Sequence, residues 1–187
     1  DGAKTVSAGS SHACAVTPSG QVRCWGNNGS GQLGDGTTTT RSAPVAVAAV
    51  TGAVAVAAGE GFSCAMTAAG TVSCWGSVPG MGTALSPAAV ATGASDLDCG
   101  WRHLCVLKAG GSAACMGEGG SGRLGIGSLD DAATPSNVRS ILSGSELTGV
   151  ASISAGGEHT CVLLGDGSAW CAGRAYLGRL GDAQIEP

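Results

Sequence analysis

Short runs in which small apolar residues alternate with other types fill most of this chain, and each run is broken by a turn. Around Cys14 one such run leads into Pro18-Ser19-Gly20, and a second run follows through Val22 to Trp25. This reads as a β-hairpin with a three-residue loop. Its register sets Thr17 against Gln21, Val16 against Val22 and Cys14 against Cys24. Such a loop takes a left-handed residue at its last position, which glycine adopts without steric cost. Gly20, Gly70, Gly111 and Gly167 hold that position in four successive copies of the pattern.

Aligning the copies on the first hairpin arm brings out the rest of the unit. A small residue followed by glycine precedes each arm, at Ala8-Gly9, Ala58-Gly59, Cys99-Gly100 and Ala155-Gly156. His12, Phe62, His103 and His159 open the arm itself. A glycine-rich turn follows in Gly31–Gly34, Arg123–Gly125 and Arg179–Gly181, reduced to Gly80-Met81-Gly82 in the second copy. A proline then opens a further run at Pro44-Val45-Ala46-Val47, Pro87-Ala88-Ala89-Val90 and Pro135-Ser136-Asn137-Val138. Proline at a strand start suits an outer position in a small sheet. Each unit thus reads as four short strands: a proline-led strand, a strand ending in small-Gly, and the two hairpin arms. The first cysteines lie 50, 41 and 56 residues apart, and four-stranded units of roughly this period indicate radial blades.

The chain reads as one repeat domain over residues 1–187, with blade repeats at about 4–36, 44–82, 87–125 and 135–181. An insertion spans 126–148, where Asp130-Asp131 reads as a turn and Ser140–Leu147 as a short helix. The first copy lacks a proline-led strand ahead of its hairpin, and the tail Asp182–Pro187 is too short to supply one. Unpaired sheet edges invite association. The expectation is a partial propeller, completed by more chain or by another subunit.

Cysteine sharpens the picture. The pairs Cys14/Cys24, Cys64/Cys74, Cys105/Cys115 and Cys161/Cys171 share one spacing and face each other across the predicted hairpins. Facing cysteines in adjacent strands lie near disulfide distance. Buried free thiols are the bland alternative, and they leave the fourfold recurrence of both members unexplained. A zinc site fits poorly, because histidine stands beside only one cysteine of each pair. Structural disulfides persist in oxidising compartments, so the expected location is extracellular or at a cell surface. Cys99 is the odd ninth cysteine. It replaces the alanine of the other copies, which suggests a small core residue, and it is the candidate for a free or intermolecular thiol.

The pattern H-x-C-A-x-T-x-x-G-x-V-x-C-W-G-x-N-x-x-G-Q-L-G-D-G, running on to Gly36, closely resembles repeats of the regulator of chromosome condensation family. The first copy matches almost throughout, the third and fourth well, the second poorly in its turn. The resemblance implies an all-β fold, a β-propeller usually of seven blades, of which about four are present. The cysteine pairs look like the extracytoplasmic branch of that family.

Charged residues are 12% of the chain, about half the usual share. The net charge of −4, with aromatics at 3% and no cluster of Lys or Arg, argues against a nucleic-acid surface. No apolar run reaches membrane-spanning length, since Thr51-Gly52 interrupts Val45–Ala58. No carboxylate pair, nucleophile–base set, metal cluster or dinucleotide fingerprint stands out, so no enzyme activity and no cofactor are expected. His12, His103 and His159 are equivalents in separate blades, which points to repeated packing rather than catalysis. Trp25, Trp75 and Trp170 read as core. Trp101-Arg102 differs, because the matching turns hold Ser10-Ser11, Glu60-Gly61 and Gly157-Glu158. Trp and Arg are enriched at binding hot spots, which makes this pair a candidate partner contact. Asn28-Gly29-Ser30 is an N-glycosylation acceptor triplet.

The leading expectation is a non-enzymatic extracellular interaction or structural module, binding a protein partner or further blades in a surface or fibre assembly. The resemblance also implies two alternatives: guanine-nucleotide exchange on a small GTPase, as in the family's nuclear member, and inhibition of a secreted enzyme, as in a similar propeller. Carbohydrate binding stays open with few aromatics to serve it.

Overall fold

The computed structural model describes residues 2–140 and 142–182. Its strands are β1 (Thr5–Ala8), β2 (His12–Val16), β3 (Val22–Gly26), β4 (Arg41–Ala46), β5 (Ala53–Ala58), β6 (Phe62–Thr67), β7 (Val72–Val78), β8 (Gly82–Ala91), β9 (Ala94–Cys99), β10 (His103–Lys108), β11 (Ala113–Gly117), β12 (Ala132–Asn137), β13 (Val150–Ala155), β14 (His159–Leu164) and β15 (Ala169–Gly173). They make four antiparallel meanders, β1–β4, β5–β8, β9–β12 and β13–β15. The first strands β1, β5, β9 and β13 touch one another from sheet to sheet. The sheets therefore radiate from a shared axis as propeller blades. Among the described residues, no helix is long and apolar enough to cross a membrane.

Each hairpin takes the register its sequence predicts. Val16 pairs with Val22 and Cys14 with Cys24, and the loop closes by Thr17 N–H donating to Gln21 O at 2.8 Å. Gly20 has φ +79°, the left-handed value the loop requires. Facing cysteines bring their Cα atoms to 4.0–4.1 Å, and all four pairs are disulfide-bonded.

The grouping of strands differs from the sequence reading. The proline-led strand closes the blade of the preceding hairpin instead of opening the next. Pro44 lies in β4, which pairs with β3; Pro87 lies in β8 and Pro135 in β12, which pair with β7 and β11. An antiparallel strand folds back on the strand it has just left, and proline, lacking an N–H, suits the outer edge. The first blade is therefore complete, and the fourth has three strands among the described residues. The tail 183–187 lies outside the described residues. Part of the stretch read as an insertion is β12 itself. Ser140–Leu147 is no helix among its described residues: Arg139 and Glu146 form an isolated antiparallel bridge, and Gly144 turns at φ +68°. Serine and glycine favour turns over helix there.

The core lies between blades. Cys14, Val16, Val22 and Leu33 of the first blade pack on Val56, Ala65 and Trp75 of the second. The second joint packs Phe62, Met66 and Val72 against Leu97, Leu104 and Met116. The third packs Leu124 and Val138 against Val150, Ile153 and Val162. The first three disulfides turn toward the next blade, with Cys14 Sγ 3.5 Å from Ser63 Oγ and Cys105 Sγ 3.5 Å from Thr160 Oγ1. On the fourth blade Cys161 and Cys171 are only half-buried.

Polar latches cross two of the three joints. His12 Nε2 lies 2.7 Å from Ser63 Oγ, and that hydroxyl donates to Gln32 O at 2.9 Å. Since the hydroxyl has one proton to give, His12 donates from Nε2. His103 Nε2 meets Thr160 Oγ1 at 2.8 Å in the same way. At the middle joint both positions are apolar, Phe62 and Leu104. Ser7 Oγ and Asp98 Oδ2 add bonds from the N–H of Ala58 and Ala155, across the first and third joints again.

The recurring small-Gly pair now has a reason. A Cβ on Gly9, Gly59, Gly100 or Gly156 would strike the ring of His12, Phe62, His103 or His159. At Gly100 it would also strike the Gly156 carbonyl oxygen, which is backbone and cannot swing aside. Gly100→Ala should therefore lower stability by roughly 1–3 kcal/mol, read as a drop in urea midpoint at unchanged slope. An unchanged midpoint would contradict this packing.

Candidate partner-binding face

The turns between the first and second strands of each blade gather at one end of the axis. Backbone bonds tie them in series: Ser10 N–H to Gly59 O at 3.3 Å, Glu60 N–H to Trp101 O at 3.0 Å, and Trp101 N–H to Gly157 O at 3.4 Å. They frame a shallow cleft of about 290 Å³ whose walls are mostly alanine and glycine.

Trp101 stands at this rim with 55% of its surface exposed. Its indole lies flat across Gly157, where a Cβ would come within 2.9 Å of the ring. An exposed aromatic is thus held by its backbone on one side and by a glycine seat beneath. Arg102 pairs with Glu118 and, at 3.9 Å, with Glu60. From Glu118 the charges run on to Arg123 at 3.6 Å, from Arg123 to Glu158 at 3.8 Å, and from Glu158 to Arg174 at 3.1 Å and Arg179 at 3.8 Å. Tyr176 lies 5.4 Å from both of the last two guanidinium groups. Four arginines and three glutamates form an arc over the second to fourth blades, with Trp101 beside it. Exposed pairs add little stability singly; a shared network fixes where the guanidinium groups stand.

The sequence names Trp101 and Arg102 as a candidate contact, and the rest of the arc was not read from it. A signal was present. Glu118 and Arg174 stand at the same repeat position as Asn27 and Ser77, and the N–H at each of these four positions bonds the carbonyl of the turn beside it. Arg123 and Arg179 match each other in the glycine-rich turn.

Asn28 is corrected by the structure. Its side chain is fully buried, with Nδ2 donating to Asp35 Oδ1, Thr37 O and Thr39 O and Oδ1 accepting from Leu33 N–H. The folded turn leaves no room for a glycan. Burial alone would raise the Asp35 pKa, but bonds from Thr37, Arg41 and Asn28 hold it below the usual carboxylate value. Cys99 is a free, buried thiol. Burial, aided by the Asp98 carboxylate, pushes its pKa well up, and an intermolecular bridge would require exposure it lacks. Of the predicted core tryptophans, Trp75 is fully buried, whereas Trp25 and Trp170 are half-buried. Among the described residues no three His, Cys, Asp or Glu side chains converge as metal ligands would.

The repeat geometry can be set beside known families. The model of the regulator of chromosome condensation (RCC1) repeat matches residues 19–66 and 111–163, more than half of the chain. The chain belongs to the RCC1 repeat family. A second RCC1 repeat model matches residues 3–32 and 150–179. The ultraviolet-B receptor UVR8 of Arabidopsis thaliana is 32% identical over 191 residues, covering 95% of this chain and 42% of the receptor. Among solved structures, human WBSCR16 superposes with a TM-score of 0.83 at 26% identity, covering 97% of this chain and 50% of that one. Prp20p of Saccharomyces cerevisiae, described with its binding to Gsp1p and histones, gives a TM-score of 0.83 at 18% identity over 97% of this chain and 48% of its own. That last likeness is one of fold. This RCC1-repeat chain spans half or less of the length of each relative.

Proposed function

We propose that the protein is a non-enzymatic interaction module of an oxidising, extracytoplasmic compartment, and that it engages a protein partner through the face carrying Trp101 and Arg102. The carrying observation is the exposed but seated Trp101 indole beside an arc of fixed arginines. Aromatic and arginine anchors dominate binding energy at protein interfaces. Prp20p puts the same propeller fold to protein binding. The four disulfides support the compartment, because such bonds persist where thiols are not kept reduced. Further blades, from additional chain or another subunit, would cover the half-buried Cys161–Cys171 face and exposed Leu163.

The test is comparative capture of partners from the extracellular fraction of native material, using wild-type protein, Trp101→Ala and Arg102→Glu. Each variant should reduce capture of the bound protein by about tenfold or more, the effect of losing one hot-spot side chain. Equal capture by all three would sink this choice of face.

A further inference from the structure

The residue after the second cysteine of the second, third and fourth hairpins faces the preceding blade. In the second blade it is Trp75, fully buried, whose Nε1–H donates to Gln32 O at 2.9 Å. The ring lies against Gly34, where a Cβ would sit 2.7 Å from the indole and 3.0 Å from Val47. In the third blade the position holds Met116, also buried. In the fourth it holds Ala172.

The wall opposite Ala172 is nevertheless built like the wall opposite Trp75. Gly31-Gln32-Leu33-Gly34 and Gly122-Arg123-Leu124-Gly125 both begin and end on left-handed glycines, at φ +78° and +66° in one and +72° and +64° in the other. Both turns close by the same bond, Gly34 N–H to Gly31 O at 3.0 Å and Gly125 N–H to Gly122 O at 2.9 Å. Both are tied to the chain that follows their blade's last strand, by Ala48 N–H to Gly34 O and Arg139 N–H to Gly125 O. Leu33 and Leu124 are fully buried alike. Val138 stands where Val47 stands, and a Cβ on Gly125 would lie 3.3 Å from it and 3.4 Å from Ala172. The seat for an indole is kept while the chain supplies only a methyl group. A cleft of about 910 Å³ remains, lined by Leu124, Gly125, Val138, Val162 and Trp170.

We infer that this cleft between the third and fourth blades binds a flat fused aromatic ring carrying an N–H donor, an indole, seated over Gly125 with its N–H on the Arg123 carbonyl. The second blade shows the chemistry, since Trp75 satisfies the equivalent Gln32 carbonyl and fills the equivalent space. The ring can arrive as a free indole compound or as the tryptophan side chain of a polypeptide, and the cleft has volume for flanking atoms. The inference does not rest on the partner-binding face.

Isothermal titration calorimetry of the oxidised protein with indole, naphthalene and N-acetyl-tryptophanamide tests it. Indole should bind about fivefold more tightly than naphthalene, the worth of one neutral hydrogen bond. Equal or tighter binding of N-acetyl-tryptophanamide would assign the ring to a polypeptide, and binding of indole alone to a small molecule; both support the site. Ala172→Trp should fill the seat, abolish binding and raise the thermal midpoint. Ala172→Met, the third-blade solution with a smaller side chain, should weaken binding at least tenfold and serves if the tryptophan variant fails to fold. No measurable heat with either indole compound overturns the proposal, as does undiminished binding in the variants that fold. Equal affinity for naphthalene and indole overturns the role of the Arg123 carbonyl.

Discussion

Reducing the four disulfides should unfold the protein at 37 °C. Each bridge closes a loop of about 11 residues, which by chain entropy is worth about 2–3 kcal/mol. Together they amount to roughly 10 kcal/mol, against a total of about 5–15 kcal/mol for an ordinary domain. Hairpin structure surviving in the denatured chain lowers the figure, because part of the loop is then already closed. The rest of the core makes the loss hard to absorb. It is built mainly from alanine, valine and cysteine, and the bridges lie in the joints between blades, where Cys14, Cys24, Cys64, Cys74, Cys105 and Cys115 are fully buried. The check is a pair of calorimetric scans with and without dithiothreitol, alongside intact mass after alkylation of native-source protein. Eight protected cysteines, and a thermal midpoint that falls below 37 °C on reduction, are expected. Nine alkylatable thiols in native material would remove both this prediction and the oxidising compartment.

Acid should destabilise the same joints in a narrow window. Burial lowers the pKa of His12 from 6.5 to about 4, against a smaller opposing hydrogen bond with the Phe62 backbone. Burial, with the positive charges of Arg123 and His159, lowers His103 to about 4 as well. In both rings Nδ1 is buried with no partner, so a second proton would sit where nothing accepts it. The unfolded chain takes up these protons from about pH 6.5 downward. The folded chain resists until about pH 4. Stability is thus present above pH 6.5, falls between 6.5 and 4, and levels off below, with roughly 3 kcal/mol at stake per ring. Asp98, whose pKa burial raises, works in the opposite direction. Asp35, held low, loses its contribution only at more acid pH. Urea midpoints at pH 7 and pH 4.5 measure the fall. The double variant His103→Phe with Thr160→Leu copies the apolar middle joint and should flatten about half of it; an unaltered pH slope would show that these rings are not its source.

Where the sequence was transparent, the reason is local. Hairpin register, loop glycines and disulfides all follow from residues a few positions apart, and repetition removed the ambiguity of any one copy. Strand grouping was opaque because a repeat has no intrinsic first element: the proline-led run reads equally well as the start of a unit, whereas hydrogen bonding pairs the strand holding Pro44 with the hairpin before it. The arginine arc was hidden because Arg102 and Arg123, far apart along the third repeat, meet the fourth repeat's Glu158 and Arg174 only when blades pack. Trp101 was visible because no other copy has an aromatic residue at that turn position. Asn28 misled because its acceptor triplet lies in a turn, and partners as distant as Thr39 fold over it.

The alternation of latched and apolar joints gives the blades addresses. His12 finds a hydroxyl on the second blade, Phe62 finds Leu104 on the third, and His103 finds a hydroxyl on the fourth. Excising the third blade would press Phe62 onto Thr160, burying a hydroxyl with no acceptor. Exchanging the second and fourth would keep a hydroxyl at both latched seams and set His159 against Leu104 at the middle one, so that seam alone would be mismatched. The array behaves less like beads on a string than like keyed segments, in which a latched face and an apolar face are not interchangeable.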